Sequence, residues 1–356
     1  MSPPTRRSLL FTTREGGDNI PPVLTLVRTL VARGHDVRLT GDACTRAAAE
    51  AAGATFLPWT LAPSRAELAV ESDPMRDWEA SEPAEVIRRM VARLICGTAL
   101  LYARDVLAAL DAHLADAIVT SEMLFGPMIA CEAAGVPVAA LGCNIPIVPL
   151  PGVPPFGPGL APARRVEERA LHAAIQGSMA ELLGEGLPAL NDACRALDLP
   201  PLSAIGEQFE RLDRYLVATA QAFDFPADAL PPNLLYVGPL MDEPVWAAGD
   251  SAPTTDDERP LVLVAFSTTY QQQEAALQRI FDALAALPVR AVVTTGPMLT
   301  PVPSGPRQRR DRRKRAPRRA DAGGSSCRDP RRPRHRHSRP PRRSALALPA
   351  DGPGPE

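Results

Sequence analysis

The sequence predicts an α/β fold with two Rossmann-like, doubly wound domains, the second of which is incomplete. Three observations support this prediction. Residues 8–40 read as a strand, a glycine loop, a helix and a second strand. The same order of strand, helix, glycine and strand then continues as far as residue 141. Residues 260–294 begin another strand–helix–strand unit. Because parallel neighbouring strands need a crossover connection, usually a helix, this alternation is typical of parallel sheets.

The first unit begins with an apolar strand at residues 8–12, followed by a Gly-Gly pair at positions 16–17 that permits a tight turn. Two prolines then suit the first turn of a helix, where a missing N–H costs no hydrogen bond, and this helix ends at Gly34. A strand follows at residues 36–40. The ligand crevice of such a unit lies at the carboxyl ends of its strands, so we expect functional residues near positions 14–22.

Helices and strands continue to alternate along the first domain. A proline-rich loop at residues 146–162 interrupts them, and a connection of this length in a compact domain is more often functional than decorative. We expect this loop to form one wall of a pocket. The predicted helices are 42–52, 84–114, 124–134, 164–183 and 188–197, and the predicted strands are 55–57, 117–121, 136–141, 215–219 and 234–238.

A polar stretch rich in Asp and Pro separates the two predicted domains. After it come a strongly apolar strand, a helix and a second strand, and beyond Pro297 the periodicity stops until a short run near residue 345. The segment that follows is rich in Arg and Pro and has few large apolar side chains, so we expect it to be disordered. The predicted boundaries are 1–240 for the first domain, 241–259 for the linker, 260–300 for the start of the second domain and 301–356 for the tail.

The net charge of −2 conceals two compositions, since the tail carries 17 Lys and Arg against 5 Asp and Glu, whereas the preceding 300 residues carry 22 against 36. No apolar run approaches the roughly 18 residues of a membrane-spanning helix, and no signal-peptide pattern is present. We therefore expect a cytoplasmic protein. The six cysteines and five histidines lack metal-ligand spacing, so we expect reduced thiols and no metal site. The sequence does not indicate the oligomeric state.

Several short motifs follow one another in a characteristic order over residues 6–298. They resemble those of the two-domain (GT-B) glycosyltransferases of the UDP-glycosyltransferase type, especially the bacterial enzymes that glycosylate macrolides and other natural products. The resemblance implies transfer of a sugar from a nucleotide diphosphate sugar to a hydroxyl of a hydrophobic acceptor, without a further cofactor. It also implies that the acceptor binds the first domain and the donor the second. The motifs are Leu9-Leu-Phe-Thr-Thr, Gly16-Gly-Asp-Asn-Ile-Pro-Pro, Leu30-Val-Ala-Arg-Gly-His-Asp-Val, Ala130-Cys-Glu-Ala-Ala-Gly-Val-Pro, Val237-Gly-Pro-Leu and Val264-Ala-Phe-Ser-Thr-Thr-Tyr.

The transfer needs a base that takes the acceptor proton, and the resemblance places a His or Asp in the first glycine loop. Counting back from Pro22, this position is Asn19, which cannot accept the proton; counting back from Pro21, it is Asp18, which can. We favour Asp18 as the base, with Asn19 orienting the acceptor. The alternative is that both residues only shape a polar turn through side-chain hydrogen bonds to the backbone.

Two further candidates rest on the resemblance. Glu122, directly after a predicted strand, matches an acidic residue that steadies the base; alternatively, it is a carboxylate favoured by the dipole of the following helix. Ser267, Thr268 and Thr269 match the loop that meets the diphosphate of the donor; alternatively, their hydroxyls cap the next helix.

A donor-binding run of the type His-Ala-Gly-His-Gly-Thr, followed further on by Asp-Gln, is expected from the resemblance but does not occur in the sequence. Residues 307–343 are rich in Arg and Pro instead. One explanation is a basic tail that binds nucleic acid or another anionic surface, although the tail lacks aromatic residues for stacking on bases. The other explanation is that the tail is an out-of-frame reading of the missing part of the domain.

A one-base shift of the reading frame favours the second explanation. Residues 328–335 can be encoded as CGT GAC CCA CGC CGG CCA CGG CAC, which without its first base reads Val-Thr-His-Ala-Gly-His-Gly-Thr once the first base of the Arg336 codon completes the last triplet. The same shift turns residues 351–356 into Met-Gly-Arg-Asp-Gln. Only the middle base of each shifted codon is free. We therefore expect a frameshifted glycosyltransferase that is inactive as written, with no nucleic-acid partner. The alternatives are a non-catalytic α/β ligand-binding protein and a basic-tail nucleic-acid binder.

Overall fold

The structure is a computed structural model, and it describes residues 5–17, 19–242, 258–267 and 269–294. Its main layer is a seven-stranded sheet with the strand order β3-β2-β1-β4-β5-β6-β7, in which all neighbouring strands are parallel. The predicted α/β fold class is confirmed. The strands of this sheet are β1 Ser8–Thr12, β2 Asp36–Gly41, β3 Thr55–Pro58, β4 Ala117–Ser121, β5 Val138–Gly142, β6 Arg214–Val217 and β7 Leu234–Tyr236.

Helices cover both faces of this sheet. Because side chains alternate between the two faces along a strand, neighbouring residues of one strand pack against different helices. In β1, Leu10 packs into one hydrophobic cluster with residues of α4 and α5, and the adjacent Phe11 packs into a second cluster with residues of α1 and α2. The helices that accompany the sheet are α1 Ile20–Ala32, α2 Arg46–Ala51, α3 Pro83–Met90, α4 Ala99–Ala112, α5 Phe125–Ala134, α6 Val166–Gly184, α7 Leu187–Ala196 and α8 Glu207–Glu210.

The single helix predicted for residues 84–114 is wrong, because the chain breaks between α3 and α4. A short π-helical turn, Val91–Ile95, follows α3, and the amides of Cys96 and Gly97 both donate to the carbonyl of Val91. At Gly97 a Cβ atom would overlap the carbonyl group of Ala92, so this tight break requires glycine. Apolar periodicity persists on both sides of the break, which is why the sequence pattern does not reveal it.

A second, two-stranded parallel sheet contains the predicted strand–helix–strand unit. It consists of β8 Leu261–Ala265 and β9 Arg290–Thr294, with α9 Glu274–Ala285 between them. The helix packs through Leu277 and Phe281 against Val293, and these three residues are buried. The predicted linker lies mostly outside the described residues, and the predicted tail 301–356 lies entirely outside them.

Candidate functional site

The candidate site lies where the strand order of the main sheet reverses, between β1 and β4. At such a point the connections that leave the two strands run to opposite faces of the sheet, and this opens a crevice at their carboxyl ends. The glycine loop, residues 13–19, leaves β1 on one side of the crevice. Glu122 follows β4 on the other side. The fold therefore brings together two of the segments that the sequence singled out.

Hydrogen bonds from neighbouring segments hold the backbone of the glycine loop. The indole Nε1 of Trp59 donates to the carbonyl of Thr13 at 3.0 Å. The amide of Glu15 donates to a carboxylate oxygen of Asp42 at 2.5 Å, and the amide of Gly17 donates to the carboxylate of Glu15 at 2.8 Å. These contacts order the start of the loop before any ligand binds.

A cluster of buried charged residues contacts the glycine loop, and the sequence did not predict this cluster. Arg14 forms an ion pair with Asp73 at 3.1 Å, and only 9% of the Arg14 side chain is exposed. The second carboxylate oxygen of Asp42 accepts the amide of Arg65 at 2.9 Å, and Arg65 is fully buried. Burial raises the pKa of both Glu15 and Asp42. Arg14, Glu15 and Asp42 follow predicted strand ends, which is a sequence signal for part of this cluster, whereas Arg65 and Asp73 lie far from any predicted strand.

The two candidates for the base position lie at the end of the glycine loop. Asp18 falls outside the described residues, so its predicted role stays a prediction. Asn19 is half-buried at the N-cap of α1, and its side chain makes no capping hydrogen bond there. The thiol of Cys143, which follows β5, donates weakly to the Asn19 carbonyl at 3.8 Å. Asn19 therefore lies at the carboxyl edge of the sheet beside β5.

Glu122 is buried in the crevice with 7% of its surface exposed. The Tyr215 hydroxyl, on β6, donates a short hydrogen bond to its carboxylate. A Cβ atom on Gly142 would lie 2.5 Å from the same carboxylate oxygen, so glycine at that position leaves the room it occupies. Burial raises the pKa of Glu122 to about 7, and the hydrogen bond from Tyr215 acts in the opposite direction. Glu122 thus exchanges its proton near neutral pH.

Tyr215 is a site residue that the sequence analysis did not identify. It is 2% exposed, and burial together with the nearby carboxylate of Glu122 raises its pKa. Its hydroxyl oxygen also accepts the amide of Ile147 at 3.2 Å, at the start of the proline-rich loop. A tyrosine inside an otherwise apolar predicted strand was the one available signal, because a buried tyrosine hydroxyl usually has a hydrogen-bond partner.

The loop after β8 contains the residues predicted to meet the diphosphate. The hydroxyls of Ser267 and Thr269 are 3.0 Å apart, and the Thr269 amide donates to the Ser267 hydroxyl at 3.2 Å. Thr268 lies outside the described residues. The next helix, α9, begins only at Glu274 with Gln273 at its N-cap, so the capping alternative does not hold for Ser267 or Thr269.

One segment of the main-sheet part, residues 70–79, contacts both candidate loops. Its Asp73 pairs with Arg14 of the glycine loop. The indole ring of Trp78 packs edge to face against Tyr270, which directly follows the loop after β8, with ring centroids 5.5 Å apart. This short segment therefore contacts both the glycine loop and the residue that follows the loop after β8.

Within the part of the chain that the structure describes, no three His, Cys, Asp or Glu side chains are arranged to hold a metal ion. No helix within these ranges is both long enough and apolar enough to cross a membrane.

Known proteins resemble this chain in sequence or in fold. The chain is 27% identical over 327 residues to 4'-demethylrebeccamycin synthase of Lentzea aerocolonigenes, and the alignment covers 85% of this chain and 73% of that protein. The crystal structure of the glycotransferase of kitacinnamycin is 16% identical, with a TM-score of 0.63 over 87% of this chain and 71% of that chain. Spinosyn rhamnosyltransferase SpnG, in complex with thymidine diphosphate, is 14% identical, with a TM-score of 0.51 over 86% and 70% of the two chains. No protein-family model matches.

Proposed function

From the confirmed resemblance of this chain to the GT-B glycosyltransferases of natural products, we propose that it derives from an enzyme that transfers a sugar from a nucleotide diphosphate sugar to a hydroxyl of a hydrophobic acceptor. The supporting observation is the crevice between β1 and β4, with the glycine loop on one side and the buried Glu122 on the other. The donor class is supported by SpnG, a rhamnosyltransferase described with thymidine diphosphate. The donor is a substrate, and the reaction uses no further cofactor.

The proposed reaction forms a bond between the acceptor oxygen and the anomeric carbon while the bond from that carbon to the diphosphate breaks. The acceptor proton passes to Asp18, and the nucleoside diphosphate leaves with the bonding electrons. Asn19 orients the acceptor hydroxyl. Glu122 lies buried at the edge of the next strand, with a pKa of about 7. A group that exchanges its proton near neutral pH suits a supporting role beside a base.

An apolar acceptor fits the surroundings of the crevice. The proline-rich loop starts beside Tyr215, where the Ile147 amide reaches the tyrosine hydroxyl. Leu150 of the same loop is 5% exposed, and Val148 and Val153 pack against the hydrophobic cluster that contains Tyr215. A loop with apolar side chains next to a few fixed polar groups is typical of a small-molecule pocket.

The donor half is proposed to use Ser267, Thr268 and Thr269 for contacts to the diphosphate. The remaining donor contacts would come from the segment that the shifted reading frame restores in place of residues 301–356, so we expect the chain as written to be inactive. Holding both reactants in line contributes on the order of 7–11 kcal/mol to such a reaction. Loose attraction of a nucleotide to arginines does not supply that positioning.

The test compares the full chain with a version whose reading frame is restored after residue 300. Both are assayed with thymidine and uridine diphosphate sugars and a panel of aromatic and macrolide acceptors, by release of nucleoside diphosphate and by mass of the product. We expect saturable transfer from the restored version alone. Comparable rates from both would overturn the frameshift interpretation, and no transfer or hydrolysis with any substrate would overturn the proposed function.

A substitution then separates an enzyme from a binding protein. Asp18→Asn in the restored version should lower kcat by roughly two to four orders of magnitude, the usual contribution of a positioned base. The matched control is Asp192→Asn, because Asp192 is an exposed carboxylate on α7 that pairs only with Arg195 among the described residues. Ligand binding with no activity, unaffected by Asp18→Asn, would instead indicate a non-catalytic ligand-binding protein.

A further inference from the structure

Three segments of the crevice are joined by one line of hydrogen bonds. The amide of Ile147, at the start of the proline-rich loop, donates to the Tyr215 hydroxyl at 3.2 Å. The Tyr215 hydroxyl donates to the carboxylate of Glu122. The line thus connects the loop after β5 to the residue after β4 through a side chain of β6. These segments are 68 and 93 residues from Tyr215 along the chain.

The direction of this line is fixed by chemistry. A backbone amide can only donate, so the tyrosine oxygen must accept from Ile147. A tyrosine hydroxyl carries one proton, which is then available for Glu122 alone. The ring itself has little freedom: it packs against Phe209 with centroids 5.1 Å apart, and Tyr215 lies in register with Ala140 of β5. Tyr215 therefore presents its hydroxyl at one defined place.

We propose that Tyr215 is a positioning residue that fixes the Glu122 carboxylate in the crevice and couples its protonation state to the start of the proline-rich loop. The positioning role follows from the hydrogen bonds alone. Only the further statement, that the positioned carboxylate and loop serve the acceptor, rests on the proposed function. The loop is then more firmly held when Glu122 is ionised than when it is protonated.

The coupling follows from the strength of hydrogen bonds to charged groups. Such bonds are roughly twice as strong as neutral ones, and successive bonds polarise one another. Ionisation of Glu122 therefore strengthens the bond from Tyr215 and, through it, the bond from Ile147. Besides burial, Tyr215 is the group that shifts the pKa of Glu122. The titratable groups that shift the pKa of Tyr215 are Glu122 and Tyr236, on the neighbouring β7.

The test uses the full chain as written and requires no substrate. Hydrogen–deuterium exchange of the peptide containing Ile147 is measured by mass spectrometry one pH unit below and one above the pKa of Glu122, with correction for intrinsic exchange rates. The unmodified chain should show higher protection at the higher pH. Tyr215→Phe should lower that protection by roughly two- to tenfold, the worth of one hydrogen bond, and remove its pH dependence.

The chain offers a matched control for this substitution. The Tyr236 hydroxyl donates to Asp224 at 3.1 Å rather than to a member of the Ile147–Tyr215–Glu122 line, so its removal leaves the hydrogen bonds of that line in place. Tyr236→Phe should therefore preserve both the protection and its pH dependence. Glu122→Gln is the second informative variant, because it keeps an acceptor for Tyr215 but cannot ionise. It should keep the protection and lose the pH dependence, even if Tyr215→Phe fails to fold.

Unchanged protection in Tyr215→Phe, or pH-dependent protection retained in Glu122→Gln, would overturn the proposal. Neither result depends on sugar transfer, so failure of this proposal is distinct from failure of the proposed function.

In the frame-restored version, Tyr215→Phe should lower kcat while leaving the KM for the donor unchanged. Because the tyrosine hydrogen bond lowers the pKa of Glu122, its loss should move the acidic limb of the pH profile to higher pH. A change in donor KM alone would contradict the positioning role.

Discussion

The strands β1 and β8 are both apolar in sequence, and each begins a strand–helix–strand unit. The extent to which other residues cover them differs. In β1, Leu10 and Phe11 point to opposite faces of the sheet and are 0% and 1% exposed. In β8, Val264 packs towards α9, whereas Leu261 and Leu263 on the other face are 56% and 67% exposed. An apolar run is typical of a strand covered on both faces. Such a run therefore predicts the strand itself, but the residues that bury its two faces come from other parts of the chain.

The same contrast extends to the loops that leave the two strands. The glycine loop after β1 is held by Trp59 and Asp42, which belong to other segments. Ser267 and Thr269, after β8, bond to each other, and Tyr270, which follows them, contacts Trp78 of the main-sheet part. The glycine loop of the proposed site is thus held by hydrogen bonds from distant segments, whereas the hydrogen bonds between Ser267 and Thr269 are local to their own loop.

A pair of identical substitutions in the two strands should give the largest difference. Leu10→Ala removes a fully buried side chain from β1 and should lower the free energy of unfolding by roughly 2–5 kcal/mol. Leu263→Ala removes a side chain that is 67% exposed, so its effect should stay within about 0.5 kcal/mol. Urea denaturation followed by circular dichroism measures both values. Equal losses would show that the two strands are covered alike.

Glu122→Gln tests the burial of charge at the crevice. The pKa of Glu122 is raised from its ordinary value of 4.5 to about 7, so the folded chain keeps a proton that the unfolded chain loses in this pH window. The free energy of unfolding should therefore fall as pH rises from 4.5 to about 7, by an amount approaching roughly 3 kcal/mol for this residue. Glu122→Gln should remove this fall. Parallel pH dependences in the two chains would show that the carboxylate is hydrated.

Trp78→Ala tests the ring contact between the two regions. An edge-to-face ring pair is worth about 0.5–1.5 kcal/mol beyond its buried area, so the variant should loosen the loop after β8 by about 1 kcal/mol. Amide exchange in the peptide containing Ser267 and Thr269 should become faster, while exchange in the glycine loop stays the same. Tyr270→Phe is the control, because it preserves the ring contact. Equal acceleration in both loops would show that the segment at residues 70–79 supports them as one unit.

The sequence predicted those features of the first region that arise locally. Strand periodicity and the Gly-Gly pair located β1, its loop and Glu122 at the carboxyl edge of the sheet. The partners that define the crevice could not be predicted in the same way. Arg14 and Asp73 are 59 residues apart, and Glu122 and Tyr215 are 93 apart. Pairs at such distances have no periodicity that relates them, because only the folded sheet brings them together.

The break between α3 and α4 has a different cause. Its apolar residues continue at helical spacing across the break, and the close approach of Gly97 to the carbonyl of Ala92 arises only once the backbone has turned. A glycine within an apolar helical pattern is compatible with a continuous helix at a cost of about 1 kcal/mol. The pattern alone therefore cannot distinguish a tolerated glycine from one that the backbone requires.

The smallest change in stability should come from Leu261→Thr, and here the informative quantity is association between molecules. Leu261 and Leu263 share one exposed face of β8, and contiguous exposed apolar surface promotes self-association. Threonine keeps a high strand propensity, so the free energy of unfolding should change by less than about 0.5 kcal/mol. Dynamic light scattering over a concentration series should show less aggregation than in the unmodified chain. Leu114→Thr provides the control, because Leu114 is 81% exposed but lies in the loop after α4 rather than on β8. Equal effects of the two substitutions would mean that general surface hydrophobicity, rather than the uncovered face of β8, drives association.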